Sequence, residues 1–226
     1  MNFSYLLLFL MALNCSCSTQ KNQVPNVLIP SVTSGLIKNN SIPFPLYFTD
    51  KFEKRVDLEK KYSNNLFIIH TGHILKAELP KEENEKNLQI LSMGGFNLVN
   101  LTLEDFAIAN GQGINFEKYD SLSFLNSSIV DLSIEGPVTS KNISSQFIFQ
   151  GIAFIGLSDD KIHPSLINEK FIINDHVLSI LKIKKNVLKE NPQHDLKSFI
   201  IVHSLGSEIN DVMLRLPPSF INLLAD

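Results

Sequence analysis

The apolar positions of this chain fall into short blocks with two different periods. Leu66-Phe67-Ile68-Ile69 is an unbroken apolar run that passes directly into His70-Thr71-Gly72-His73. Such a run, ending in a small-residue turn, is the pattern of a strand buried on both faces whose last side chains reach a crevice. Residues 26–29, 98–101 and 199–203 repeat it. Residues 81–93 instead carry Leu88, Leu91 and Ser92 as a helical stripe, opened by Pro80 with Glu82 and Glu83 and closed by Gly94-Gly95. Thr102 with Asp105 three residues on predicts the start of a second helix through a near capping box. Residues 66–109 therefore read strand, helix, strand, helix, the alternation of an α/β sheet.

The flanking chain completes the pattern. Residues 50–61 alternate charges with few apolar positions and predict an exposed helix, whereas Pro43 and Pro45 speak against a central strand at 42–48, because proline cannot donate to a ladder. Residues 30–34 read as a turn. Residues 129–134 alternate apolar and polar up to Gly136-Pro137, and residues 146–157 predict two antiparallel strands about a glycine bend. Asn174-Asp175 caps a long helix with Val177, Ile180, Leu181 and Leu188 on one face. A buried strand at 198–203, a short helix at 206–213 and the start of a strand in 216–224 follow.

Composition narrows the classes. The chain has 226 residues, enough for one domain with a substantial core, and 44% hydrophobic content with 16 Phe argues against disorder. A formal net charge of -3 implies no attraction to nucleic acid. Residues 5–13 form an apolar run too short to span a bilayer core of about 30 Å as a helix, followed at once by polar residues, which is the shape of a secretory leader. It ends at Ala12-Leu13-Asn14-Cys15, which resembles lipoprotein signals in which cleavage leaves a lipidated cysteine. The expected organisation is a leader at 1–14, a lipidated Cys15 with a tether over 15–25, and a folded domain over 26–226. Cys17 is the only other cysteine, so the folded part is left without a disulfide or a thiolate metal site. The expected location is a bacterial cell envelope, with the protein held to a membrane through the lipid and facing the periplasm or the exterior.

The order of strands and the residues at their ends resemble the N-terminal part of the 5'-nucleotidases, of the periplasmic UDP-sugar hydrolase type, a branch of the calcineurin-like metallophosphoesterases. Residues 96–106 (Phe96-Asn97-Leu98-Val99-Asn100-Leu101-Thr102-Leu103-Glu104-Asp105-Phe106) resemble the family's strand and turn ending Val-Asn-Leu-Gly-Asn-His-Glu-Phe-Asp. Residues 66–73 resemble its apolar strand followed by Asp-Ala-Gly-Asp, 149–157 its Gly-x-Lys-Ile-Gly-Ile-Ile-Gly-Leu hairpin, and 199–206 its strand ending Leu-Ser-His-Leu-Gly. The resemblance implies an α/β fold, a metallophosphoesterase-like layered sandwich of mixed sheets flanked by helices, truncated relative to the full catalytic domain.

It also implies a test of the chemistry. The family's enzymes hold two divalent metals that make a bridging water nucleophilic and clamp the phosphate, which requires oxygen and imidazole donors at the strand ends. The family's Asp-x-His falls on Val32 and Ser34, its Asp-x-x-Asp on His70 and His73, its Asn-His-Glu on Leu103, Glu104 and Asp105, and its histidine after the last strand on Ser204, beside His203. Nearly every ligand is replaced. The expectation is a degenerate, non-catalytic domain without cofactor, binding another envelope protein or a small anion. The alternative is a rebuilt zinc or manganese site from His70, His73, Glu104 and His203 that hydrolyses phosphate esters.

Overall fold

The protein is described by a computed structural model, which describes residues 26–30, 35–38, 42–62, 65–190, 196, 198–217 and 221–224. In chain order the elements are β1 (Asn26–Pro30), β2 (Gly35–Ile37), β3 (Leu46–Thr49), α1 (Arg55–Lys61), β4 (Phe67–His70), α2 (Lys81–Gly94), β5 (Leu98–Asn100), α3 (Leu103–Gln112), β6 (Phe124–Leu125), β7 (Ile129–Asp131), β8 (Gly136–Pro137), β9 (Ile143–Ser144), β10 (Phe147–Phe149), β11 (Ile152–Leu157), β12 (Phe171–Ile173), α4 (His176–Glu190), β13 (Ser198–His203), α5 (Ile209–Arg215) and β14 (Ile221–Leu224).

They form two large mixed sheets and a small one. The first runs β10-β11-β13-β1-β14, parallel except for the β10 edge, and the second runs β2-β3-β4-β5-β6-β9, parallel except for the β2 edge. An antiparallel sheet β12-β7-β8 lies apart from both. Because successive strand residues face opposite ways, each large sheet buries two layers. Leu46, Phe48, Phe67, Ile69 and Leu98 of the second sheet meet Ile152, Phe154, Ile200 and Val202 of the first in a shared central layer, where the rings of Phe67 and Phe154 stack at 5.2 Å. The alternate residues pack outward. Ile68 and Val99 lie against Leu58, Leu88, Leu91 and Phe106 of α1 to α3, and Ile155, Phe199 and Ile201 against Val177, Ile180 and Val212 of α4 and α5. The order is helix, sheet, sheet, helix, so parallel strands of both sheets can end on one rim.

Local chemistry accounts for the element ends. α2 stops at Gly95, whose φ of 78° suits glycine, and Arg55 fixes that stop by donating from Nε and Nη2 to the Gly95 carbonyl at 2.9 and 2.6 Å and from Nη1 to the Leu66 carbonyl at 2.8 Å. α3 begins with a complete capping box between Thr102 and Asp105. Gln150 and Gly151, at φ 47° and 81°, turn β10 into β11, which is the tight bend the glycine signals.

Three expectations need correction. Residues 46–49 are a strand in the interior of the second sheet, all four buried. Both prolines precede that strand, so no ladder donor is lost, and Pro45 supplies a carbonyl that accepts from the Phe67 N–H at 3.0 Å. The helix expected over 50–61 is confined to α1, since Glu53 is held as a side-chain acceptor by Tyr47 and Thr49. Gly136-Pro137, expected to end a strand, is itself the short strand β8. The turn at 30–34 lies mostly outside the described residues, as do Cys15 and its tether.

Candidate functional site

The rim is built where β4, β5, β11 and β13 end. After His70 the chain passes close beneath Thr102: a Cβ on Gly72, whose φ is 128°, would lie 2.5 Å from the Thr102 methyl. Only glycine fits there. His73 follows at φ 56°, a conformation of small but real cost for a residue with a Cβ. Asp105 holds it. The buried Asp105 carboxylate accepts from the backbone N–H groups of His73, Leu75 and Thr102 at 3.2, 2.9 and 2.9 Å and from the Thr102 hydroxyl at 2.8 Å. Burial pushes the Asp105 carboxyl up, opposed by these donors and by the charge of His73.

The His73 ring lies between two further carboxylates. Its Nδ1 is 3.2 Å from Glu104 Oε2 and its Nε2 is 3.3 Å from Asp159 Oδ2. The bond to Asp159 outweighs burial and, with the charges of Asp105 and Asp159, raises the His73 pKa to about 9, so the ring is a cation at neutral pH. Asp159 is buried and shares two hydrogen bonds with Ser204: its N–H donates to the hydroxyl at 3.1 Å and the hydroxyl donates to Oδ1 at 3.3 Å. Glu104 accepts from the His163 N–H at 3.0 Å. The result is an imidazolium clamped by carboxylates from the first turn of α3 and the end of β11.

Of the four candidate metal ligands, the structure brings His73 and Glu104 together and sets the other two apart. His70 is buried on the outer face of its sheet, beside Val99, with the rings of Phe52 and Phe96 at 5.5 and 5.8 Å. Its Nδ1 accepts from the Gly72 N–H at 3.3 Å, and burial drives its pKa down to about 4, so it is neutral. His203 pairs with Leu157 and shares the face of Phe199 and Ile201, which is directed at α4 and α5 in the other sheet. Among the described residues no group of three His, Cys, Asp or Glu is arranged to hold a metal ion. Leu103 is buried and donates its backbone N–H to the Ser158 hydroxyl at 2.7 Å. Val32 and Ser34 lie outside the described residues.

Asp159 and Asn100 are positions of the rim that the residue pattern does not single out. Ser158-Asp159-Asp160 follow an apolar strand as His70 follows its own, but β11 reads as one arm of a hairpin, which hides its parallel pairing with β13. Asn100 donates to the carbonyls of Thr71 at 3.1 Å and Leu157 at 2.9 Å, tying the two large sheets together just below the rim.

Comparison with family models and with curated proteins gives no match. Solved structures do match. The NAD nucleotidase of Haemophilus influenzae superposes with a TM-score of 0.50 at 16% identity, over 82% of this chain and 34% of that one. The 5'-nucleotidase precursor of Thermus thermophilus does so with a TM-score of 0.57 at 13% identity, over 85% of this chain and 39% of its own. The chain thus spans little more than a third of the length of these structures. Identity this low speaks to architecture alone, and the architecture is an α/β fold shared with part of these nucleotidase structures.

Proposed function

We propose that this is a lipid-anchored protein of a bacterial envelope whose 5'-nucleotidase-like domain binds a partner and does not hydrolyse phosphate esters. One observation carries the non-catalytic reading: both ring nitrogens of His73 are engaged by carboxylates, at 3.2 and 3.3 Å. A pair of divalent ions needs several free oxygen and imidazole donors on one rim. Here Glu104 and Asp159 neutralise an internal cation, Leu103 offers no donor, and His70 packs away from the rim. Among the described residues the donors present do not fit a binuclear centre, and His73 supplies the positive charge that metals would bring. With Glu104, Asp105 and Asp159 around a single imidazolium, the crevice gives no support to an anionic ligand. The partner proposed is therefore another envelope protein rather than a small anion.

The deciding measurement is metal content together with turnover. The full-length protein, incubated with zinc or manganese and then desalted, should retain substoichiometric metal and turn over p-nitrophenyl phosphate no faster than buffer. Stoichiometric metal with turnover abolished by Glu104→Gln would establish the rival reading, a metal-dependent phosphoesterase, for which His73 must let go of Asp159. The anchor is supported by the residue pattern at 5–15. Cells fed a palmitate analogue should label the protein, and Cys15→Ala should remove the label; label retained in that variant would refute the anchor.

A further inference from the structure

The solvent face of α4 carries one sign of charge. Its exposed positions before the terminal Glu190 are Leu178, Lys182, Lys185 and Lys189, each three or four residues from the next, so they form one stripe down the helix. Like charges at these spacings repel and weaken a helix. The other helices with lysine or arginine offset them: α1 sets Arg55 against Glu59 and α2 sets Lys86 against Glu83. Among the described residues, Lys182, Lys185 and Lys189 enter no ion pair. The helix dipole favours a cation in the last turn and so accounts for Lys189, but not for Lys182 two turns earlier.

The lysines also lie toward one end of the molecule. α4 starts at the rim, where His176 Nε2 meets the Ser158 carbonyl at 2.9 Å, and runs back along the first sheet until Lys184 Nζ stands 5.6 Å from the centre of the Phe199 ring. Phe199 pairs with Val27 at the start of β1. The stripe therefore descends to the end of the sheet where the chain enters the domain at Asn26, away from the carboxylates of the rim. Eleven positions separate Cys15 from Asn26, a reach of at most about 40 Å. A lipid on Cys15 thus keeps this end of the domain close to a membrane.

Resting on that anchor, we propose that α4 lies on an anionic membrane surface, with Lys182, Lys185 and Lys189 against the lipid phosphates and the His73 rim left facing away. The test leaves the lipid out. Full-length protein carrying Cys15→Ala is sedimented with vesicles of phosphatidylcholine, alone or with phosphatidylglycerol at about 30%. Binding to the anionic vesicles should be at least about tenfold tighter, since each lysine near such a surface contributes about fivefold. Added salt should erase the preference. So should Lys182→Gln, Lys185→Gln and Lys189→Gln together, with Tm unchanged because all three are exposed. The apolar residues 5–13 are present in both chains and meet both vesicles, so they cancel in the comparison. Amine labelling of the bound protein, read by mass spectrometry, should find the three lysines protected relative to the exposed Lys60 of α1, a readout that stands even if the triple variant misfolds. Equal binding to both vesicles, a preference retained by the variant, or uniform labelling overturns the proposal. A missing palmitate label with these results intact would remove the anchor and leave the lipid-binding face.

Discussion

Replacing His73 by alanine should destabilise the domain by about 2 to 3 kcal/mol at pH 6.5, measured by denaturant unfolding, because Glu104 and Asp159 then repel each other in a partly buried site. A fully buried pair would cost more, but about a third of the His73 side chain is open to solvent. His73→Asn separates charge from backbone. Asparagine tolerates the left-handed conformation at φ 56°, so it should recover the backbone part of the loss and leave the electrostatic part.

The pH dependence of the wild type gives the sign independently. The folded pKa of His73, about 9, lies above its ordinary value of 6.5, so the folded state binds the proton more tightly. This contribution is fully present below about pH 6.5 and is lost as the pH rises through about 9. The wild type should lose about 2 kcal/mol across that window after allowance for solvent screening, and His73→Ala should be flat there. An alkaline decline of equal size in the variant would mean that another group titrates and that His73 is not the internal cation.

The second large effect is expected at Gly156. A Cβ there would lie 2.3 Å from Asn100 Oδ1 and 2.8 Å from Leu125 Cγ. Asn100 cannot step aside, because its amide nitrogen is held by carbonyls of both sheets, and Leu125 is part of the central layer. Gly156→Ala should therefore force the two sheets apart and cost about 3 to 5 kcal/mol, combining overpacking with the loss of buried hydrogen bonds. Against a typical total of about 5 to 15 kcal/mol, that places the variant near unfolding. The double variant Asn100→Ala, Gly156→Ala should be more stable than the sum of the single losses predicts, by more than about 1 kcal/mol. Simple additivity would show that the two residues do not contest the same space.

Much of this architecture is legible in the residues. β4 and β13 are unbroken apolar runs, α2 has its proline start and glycine stop, and Thr102 with Asp105 marks the start of α3. What escapes notice is short or non-local. β6 and β9 have two residues each, too few to show any period, and β3 is masked by prolines that stand just outside it. Within the rim, a histidine where the resemblance implies an aspartate is visible at His73, but its protonation is not. That depends on Asp159, 86 positions further along the numbering, arriving within 3.3 Å, which the packing of the first sheet on the second brings about. His70 and His203 look equivalent to His73 along the chain, and strand alternation sends them to outer faces.

The first sheet has one more consequence, for the order in which the protein is made. β1 lies between β13 and β14, with Asn26 opposite Ser198 and Val27 opposite Ile221. Every strand of the second sheet comes from residues 35–144, between these partners in the chain. During synthesis that sheet can close while β1, already out of the ribosome, has no neighbour to accept its amide hydrogens. Until translation reaches β13, the nascent protein carries an apolar strand without its pairing partner, the kind of segment most prone to aggregate.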